Sequence, residues 1–162
     1  MKLPYFKQET DYYCGPASLQ MILDYFGKHI SQKTLARRLK TNVEDGTDHF
    51  DLIRVATENN LYCYVNQNSF LQEIFHFLSR DLPVVIDFME PDGNEAHYAV
   101  VIGHDHETLI VNDPWNGEKF RLRREWFEKH WYDYENNAKR WIMVLSPEDL
   151  CIGKQYVPKN ER

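Results

Sequence analysis

The hydrophobic pattern of the chain changes at Pro83, and this change constrains the fold more than any other feature. Before Pro83, apolar residues recur at helical spacing in four segments. After it, short runs of branched aliphatic residues, such as 84–88 and 97–103, predict strands joined by turns. This order favours an α+β domain in which a helical N-terminal half packs on an antiparallel sheet from the C-terminal half.

Helix-start signals locate several of these elements. The first predicted helix begins just after Cys14, with Pro16 in its first turn, and Gly27 ends it. Ser31 is predicted to cap the second helix, and Ser69 with Gln72 forms a capping-box pattern before the fourth. A third helix is predicted from 46–47 to 59–60 and a short one at 124–130. Further strands are predicted at 61–65, 108–112, 119–122 and 141–145, and a turn at 91–94.

The chain length suits one domain. Of its 162 residues, 43% are hydrophobic, which is enough apolar material for a buried core. We predict that the domain covers 1–146 and that 147–162 form a polar, loosely attached C-terminal tail. The three cysteines are an odd count, so reduced thiols are favoured, although a bridge between Cys63 and Cys151 stays open.

Charge and hydropathy exclude some classes of partner. The formal net charge of −6 argues against binding to nucleic acid. No run approaches the roughly 18 apolar residues that a membrane span requires. Because the N-terminus also lacks an apolar signal segment, a cytoplasmic location is expected. The oligomeric state cannot be inferred.

Cys14 is the first candidate for a nucleophile. A thiol attacks only as its thiolate, and the unpaired N–H groups and positive dipole end at a helix start favour that anion. Gly15 leaves the sulfur open to a substrate backbone. Position alone fits equally a cysteine that packs as a small apolar residue.

Gln8 lies six residues before Cys14, on a short extended segment. Its side-chain amide can therefore return toward the sulfur and donate to an oxyanion, together with the backbone N–H of Cys14. Taken by itself, Gln8 is only a polar residue near the N-terminus.

His97 and Asp113 are candidates for the base and its orienting partner. His97 opens one predicted strand and Asp113 ends the next, and a turn at 104–107 joins the two strands. If the strands pair antiparallel, these distant ends lie side by side, and the aspartate would fix the imidazole tautomer. A lone histidine at such a strand end is more often structural.

The histidines also allow a rival reading as metal ligands. The residues concerned are His97, His104, His106, Asp105 and Asp113. Because 104–106 lie in a predicted turn and the spacing matches no familiar zinc pattern, we predict neither a metal site nor a cofactor.

Three segments together resemble a known family. The run from Gln8 to Leu19, the run from His97 to Gly103 and the sequence Asn-Asp-Pro at 112–114 resemble the bacteriocin-processing leader peptidases, family thirty-nine of the papain-like cysteine peptidases. The resemblance runs from about Tyr5 to Leu145. It implies a papain-like fold, with Cys14, His97 and Asp113 as catalytic triad and Gln8 as oxyanion donor.

The same resemblance implies a peptide or protein substrate. We predict Gly15 and Tyr98 as substrate-binding residues. Members often form the N-terminal domain of an exporter and cut after a Gly-Gly pair, whereas this chain, without membrane spans or an ATPase, resembles the stand-alone branch. The predicted function is peptide-bond hydrolysis through a thioester. The alternatives are a non-catalytic peptide-binding module and an acyl-transfer relative, an amidase or transpeptidase.

Overall fold

The computed structural model describes residues 1–90 and 95–161, so the turn predicted at 91–94 lies outside the described residues. The helices are α1 (Cys14–Tyr25), α2 (Gln32–Arg38), α3 (His49–Glu58), α4 (Leu71–Ser79) and α5 (Arg124–His130). The strands are β1 (Tyr62–Asn66), β2 (Val84–Met89), β3 (Ala96–His104), β4 (Thr108–Asp113), β5 (Gly117–Arg123), β6 (Tyr132–Asp133), β7 (Ala138–Lys139) and β8 (Ile142–Ser146). A short 3₁₀ helix covers Lys159–Glu161.

Six strands form one antiparallel sheet in the order β1-β8-β2-β3-β4-β5. Five of them come from the C-terminal half, and β1 is the strand that the helical half adds at one edge. The predicted α+β class, with helices packed on an antiparallel sheet, is confirmed. Strands β6 and β7 pair separately as a small ribbon.

The sheet has a hydrophobic core on each face. Because side chains alternate along a strand, Val85 and Val100 belong to the core shared with α1, α2 and α3, while Val84 and Val101 belong to the core shared with α4 and α5. Strands β2 and β3 are therefore buried on both sides, which explains their nearly continuous apolar sequences. None of the helices in the described part of the chain has both the length and the apolar character of a membrane-spanning segment.

The helix starts differ in part from their sequence signals. Ser31 caps α2 as predicted, since its side chain accepts a hydrogen bond from the backbone N–H of Thr34. The capping box at Ser69 is wrong: the N-cap of α4 is Phe70, without a side-chain cap bond, and the backbone N–H of Ser69 donates to the Arg140 carbonyl. Helix α3 begins at residue 49, later than predicted, with Asp48 as its cap.

Residues 147–161, the described part of the predicted C-terminal tail, are attached more closely than predicted. Tyr156 forms an antiparallel bridge with Cys63 at the outer edge of β1, and Leu150 is 1% exposed. The ammonium group of Lys159 pairs with Glu58 of α3 at 2.6 Å. Cys63 and Cys151 are both free thiols, so the bridge between them that sequence left open is not formed.

Candidate active site

Cys14 is the first residue of α1 and is partly exposed. Its N-cap, Tyr13, makes no side-chain cap bond, and no acidic residue lies in the first turn. The first backbone N–H groups of a helix have no acceptor within the helix, and the dipole is positive there. The sequence Cys-Gly-Pro therefore sets the thiol beside the unpaired N–H groups at the start of α1.

The β3–β4 hairpin brings His97 to Asp113, as the predicted antiparallel pairing requires. The Nε2 atom of His97 lies 2.7 Å from Oδ1 of Asp113, and both side chains are buried. Cys14 lies near the same imidazole: both residues line one cleft, and the Cys14 side chain contributes to the raised pKa of His97. Because Nε2 of His97 is engaged by Asp113, Nδ1 is the ring nitrogen left for the sulfur.

Electrostatics favour an ion pair between His97 and Asp113. Burial by itself lowers the pKa of His97, but the hydrogen bonds and charges of Asp113 and Cys14 outweigh it and raise that pKa to about 10. Burial likewise opposes ionisation of Asp113, yet the imidazole and the Asn116 bonds hold the pKa of this carboxyl below its ordinary value. The imidazolium form of His97 is therefore the stable one at neutral pH.

Two residues that sequence reasoning missed hold Asp113 in place. Its Oδ1 accepts the backbone N–H groups of Trp115 and Asn116 at 2.9 and 3.0 Å, and its Oδ2 accepts the Asn116 side-chain amide at 3.0 Å. This is the geometry of an Asx turn. The sequence Asp-Pro-Trp-Asn at 113–116 is typical of such a turn, so the role of Asn116 could have been predicted from it.

Hydrogen bonds from its backbone and side chain hold Gln8 beside the segment that follows Asp113. Its N–H donates to the Pro114 carbonyl at 3.0 Å, and its side-chain amide nitrogen donates to the Thr10 carbonyl at 2.8 Å. The buried Gln32 of α2 holds the residues on either side, accepting from the Glu9 N–H and donating to the Lys7 carbonyl. One N–H of the Gln8 amide is thus satisfied, and a second is available for another acceptor.

A cleft of about 540 Å³ joins these groups, with Gln8, Cys14 and His97 in its wall. Gly15 and Tyr98, predicted to contact substrate, are not among its lining residues. Gly15 is buried against Thr47, and the buried Tyr98 hydroxyl donates to the Thr47 carbonyl at 2.8 Å. Their role in substrate binding stays a prediction.

A second buried polar cluster, which sequence reasoning did not find, consists of His49, Asp87 and Asp133. Nε2 of His49 lies 2.7 Å from Oδ2 of Asp87 and 3.6 Å from Oδ2 of Asp133. The His49 ring also stacks on Trp141, with centroids 3.9 Å apart. The three side chains come from α3, β2 and β6, with no shared motif or spacing.

The three side chains of the His49 cluster have shifted pKa values. Burial, and then the hydrogen bond to Asp133, raise the pKa of Asp87 well above its ordinary value. Burial opposes ionisation of Asp133 as well, but its bonds to Asp87 and Asn136 lower its pKa. Burial lowers the pKa of His49 to about 4 against the opposing charge of Asp133. These shifts favour the protonated form of Asp87 and the ionised form of Asp133, and they keep the His49 imidazole neutral at neutral pH.

The His49 cluster is also the set of side chains that could hold a metal ion in the described part of the chain, since its ligand atoms lie within 4.8 Å of one another. The metal-ligand set considered from sequence is not brought together as a whole within the described residues; it consists of His97, His104, His106, Asp105 and Asp113. His97 is bonded to Asp113, and the exposed His104 accepts from Arg124 and stacks on Phe75.

Comparison with known proteins finds a matching family and similar proteins. The model of a family described as Peptidase_C39 like matches residues 1–139. An uncharacterized protein of Methanothermobacter marburgensis is 33% identical over 123 residues, which are 76% of this chain and 79% of that protein. The transport/processing ATP-binding protein ComA of Streptococcus pneumoniae is 32% identical over 119 residues, 73% of this chain but only 16% of ComA.

Solved structures share the fold. A double glycine motif protease from an AMS/PCAT transporter, crystallised in complex with the leader peptide, superposes with a TM-score of 0.71 over 91% of this chain and 93% of that one, at 20% identity. At this identity the likeness shows the fold alone.

Proposed function

Because this chain belongs to the Peptidase_C39-like family, we propose that it is a cysteine peptidase, with Cys14 as nucleophile and His97 as its acid and base. Asp113 orients the imidazole. The observation that carries the proposal is the His97–Asp113 hydrogen bond in a cleft whose wall also contains Cys14, with the Cys14 side chain near enough to raise the pKa of His97. A thiol, a base and an orienting carboxylate brought together are the parts that nucleophilic acyl transfer requires.

In the first half of the reaction, the Cys14 thiolate attacks the carbonyl carbon of the scissile bond. A C–S bond forms, and the carbonyl electrons move to oxygen. The free N–H of the Gln8 amide and the backbone N–H of Cys14 donate to this oxyanion. The His97 imidazolium then gives its proton to the leaving nitrogen as the C–N bond breaks, which leaves a thioester.

In the second half, His97 is neutral and accepts a proton from an incoming water. The hydroxide attacks the thioester carbonyl, the same two donors hold the second oxyanion, and the C–S bond breaks. The acid product departs and the Cys14 thiolate is restored beside an imidazolium. Throughout, Asp113 stays ionised and keeps Nε2–H donating to it, so that Nδ1 is the nitrogen that transfers protons.

The substrate class we propose is a peptide with a Gly-Gly pair before the scissile bond. A relative with the same fold was crystallised with a leader peptide and is named for the double glycine motif. Glycines let a substrate backbone approach the thiol without steric conflict, which suits a nucleophile at the base of a cleft.

Hydrolysis of Gly-Gly peptides, followed by mass spectrometry, tests this function. We expect Cys14→Ala to abolish cleavage, His97→Ala to lower kcat/KM by about 10²–10⁴-fold, and Gln8→Ala by about 10²–10³-fold. Gln67→Ala, an exposed glutamine outside the cleft, serves as the matched control and leaves the rate unchanged. Cleavage by Cys14→Ala at the wild-type rate would contradict the proposal.

Thiol labelling tests whether the nucleophile is activated. Cys63 is buried, and burial raises the pKa of its thiol, so it would react slowly with iodoacetamide whether or not Cys14 is activated. The exposed Cys151 is therefore the stricter reference. We expect Cys14 to react faster than Cys151 at neutral pH, and His97→Ala to remove the difference. Equal rates in the folded wild-type protein would favour a peptide-binding module without turnover.

A further inference from the structure

The cleft wall is unusually rich in carboxylates. Five acidic residues line it together with Gln8, Cys14 and His97, and no lysine or arginine lies among its described lining residues; the five are Asp11, Glu44, Glu90, Glu95 and Glu135. The net charge of −6 spread over 162 residues does not require this concentration. The negative charge is therefore a local property of the cleft.

Several carboxylates elsewhere on the surface have cationic partners. Glu58 pairs with Lys159 and Arg54, and Glu128 pairs with Arg140. Within residues 1–90 and 95–161, no such ion pair involves the cleft residues Glu44, Glu95 or Glu135 or the cleft residue Asp11.

Like charges in this cleft repel one another. Desolvation by the surrounding protein, followed by the charges of Asp133, Asp45 and Glu95, raises the pKa of Glu135. Such crowding is relieved when a cation enters the cleft, and walls of low dielectric strengthen the attraction.

Gln8 supplies a second, independent sign of a ligand, one that donates an N–H. Its side-chain oxygen is buried and has no hydrogen-bond partner in the described part of the chain, while its amide nitrogen is held on the Thr10 carbonyl. A buried acceptor without a donor is costly. A bound substrate that donates an N–H would remove this cost.

The remaining walls suit long side chains that end in a charge. Val43 and Trp115 line the same cleft and are 74% and 51% exposed. Lysine and arginine pack their aliphatic stems on apolar surface, and their charged groups interact favourably with the face of a tryptophan.

We propose that this cleft selects a cationic peptide, one that carries lysine or arginine side chains close to the scissile bond. The inference rests on the proposed function of the cleft as a peptidase site and adds the charge of its substrate. The carboxylates of Glu44, Glu95 and Glu135 attract the cationic side chains, Trp115 and Val43 contact their stems, and Gln8 accepts a backbone N–H.

Charged thiol reagents test the negative potential without requiring any peptidase activity. The cationic trimethylammonioethyl methanethiosulfonate and the anionic sulfonatoethyl methanethiosulfonate each form a disulfide with a thiolate and release methanesulfinate. We expect the ratio of cationic to anionic rates at Cys14 to exceed that at Cys151 by about tenfold or more. The excess should shrink as the ionic strength rises from about 0.05 M to about 0.5 M.

Matched triple variants locate the effect. Glu44→Gln/Glu95→Gln/Glu135→Gln should remove most of the excess at Cys14. Glu107→Gln/Glu125→Gln/Glu128→Gln makes the same change in net charge at three exposed residues outside the cleft, and should preserve the excess. An equal reagent ratio at Cys14 and Cys151, or an equal effect of the two triple variants, overturns the proposal.

Peptides then separate this proposal from the proposed function. We expect a Gly-Gly peptide with lysines beside the scissile bond to have a kcat/KM about tenfold or more above its norleucine analogue. Cleavage of both peptides at equal rates overturns the charge preference while the peptidase function stands. Without any cleavage, tighter binding of the lysine peptide to Cys14→Ala, measured by fluorescence anisotropy, supports the charge preference alone.

Discussion

Two histidines in this protein meet opposite electrostatic environments. His97 is held as an imidazolium by Asp113 and Cys14, with a pKa of about 10, whereas burial keeps His49 neutral, with a pKa of about 4. A single residue type thus carries charge in one site and hydrogen-bonding capacity without charge in the other. Burial lowers both pKa values; at His97 the hydrogen bonds and charges of Asp113 and Cys14 outweigh it, whereas at His49 the charges of Asp133 and Asp48 do not.

These shifts predict a stability maximum near neutral pH. The His97 pKa is raised in the folded state, so its contribution is complete below about 6.5 and is lost as the pH rises toward about 10. The His49 pKa is lowered, so its contribution is complete above about 6.5 and is lost as the pH falls toward about 4. Each limb has a slope of at most about 1.4 kcal/mol per pH unit.

Urea unfolding between pH 4 and pH 10 measures both limbs. His97→Gln should flatten the alkaline limb and His49→Gln the acidic limb, while His106→Gln, in an exposed turn, should leave the profile as in wild type. The assignment is wrong if each variant flattens the other limb, or if neither changes the profile.

Helix α1 and the loop before α3 approach each other closely at Gly15. A Cβ atom on Gly15 would lie 2.4 Å from Oγ1 and 2.6 Å from Cβ of Thr47. The Thr47 side chain cannot easily move, because its hydroxyl bonds to Thr41 and its carbonyl accepts from Tyr98. Gly15 is therefore required for the close approach of these elements, which lies directly beside the nucleophile.

Gly15→Ala is expected to lower the free energy of unfolding by about 1–3 kcal/mol, although alanine favours a helix over glycine. The labelling rate of Cys14 should fall as well, because the start of α1 must shift. Gly153→Ala is the control, since a Cβ there meets nothing within 4 Å. Greater stability of Gly15→Ala in urea unfolding would show that the contact is relaxed at no cost.

Elements with local signals could be predicted, and long-range arrangements could not. The helix start at Cys14 and the hairpin that joins His97 to Asp113 follow from short stretches of sequence. The position of β1 beside β8 depends on residues about eighty positions apart. The cap of α4 was mispredicted because tertiary contact with Arg140 engages the Ser69 backbone instead.

For the site, local sequence paired Gln8 with Cys14 along the chain and His97 with Asp113 through one hairpin, and the second pair is hydrogen-bonded in the structure. The pairing of Cys14 with His97 came from the family resemblance, and the catalytic roles of the four residues stay a prediction. The His49 cluster comes from three distant elements, and its members look like ordinary polar residues in sequence. The sequence did not predict the acidic cleft either, because its carboxylates come from positions scattered between residue 11 and residue 135.

At the scale of the whole molecule, the C-terminal segment covers the outer edge of the sheet. Tyr156 exchanges backbone hydrogen bonds with Cys63 at 2.8 and 3.0 Å, and Leu150 is buried in the core on the α4 side. An unpaired edge strand is a template for association with another chain. The segment therefore both stabilises the domain and protects β1.

Deletion of residues 150–162 should lower the free energy of unfolding by about 2–5 kcal/mol, the typical cost of losing one buried leucine. It should also make Cys63 reactive toward a thiol reagent under native conditions, because its edge loses its cover. Lys159→Ala removes only a surface ion pair and should cost at most about 1 kcal/mol. A deleted protein with wild-type stability and an unreactive Cys63 would contradict this role.

The N-terminal segment links two parts of the site that are far apart in sequence. The Tyr5 hydroxyl donates to the Asp113 carbonyl at 2.9 Å, and the Gln8 N–H donates to the next carbonyl along the chain, that of Pro114. The amide proposed to donate to the oxyanion and the carboxylate that orients the imidazole are therefore held in place by the same N-terminal segment. Detachment of residues 1–8 would displace both groups at once, so we expect it to abolish the proposed activity.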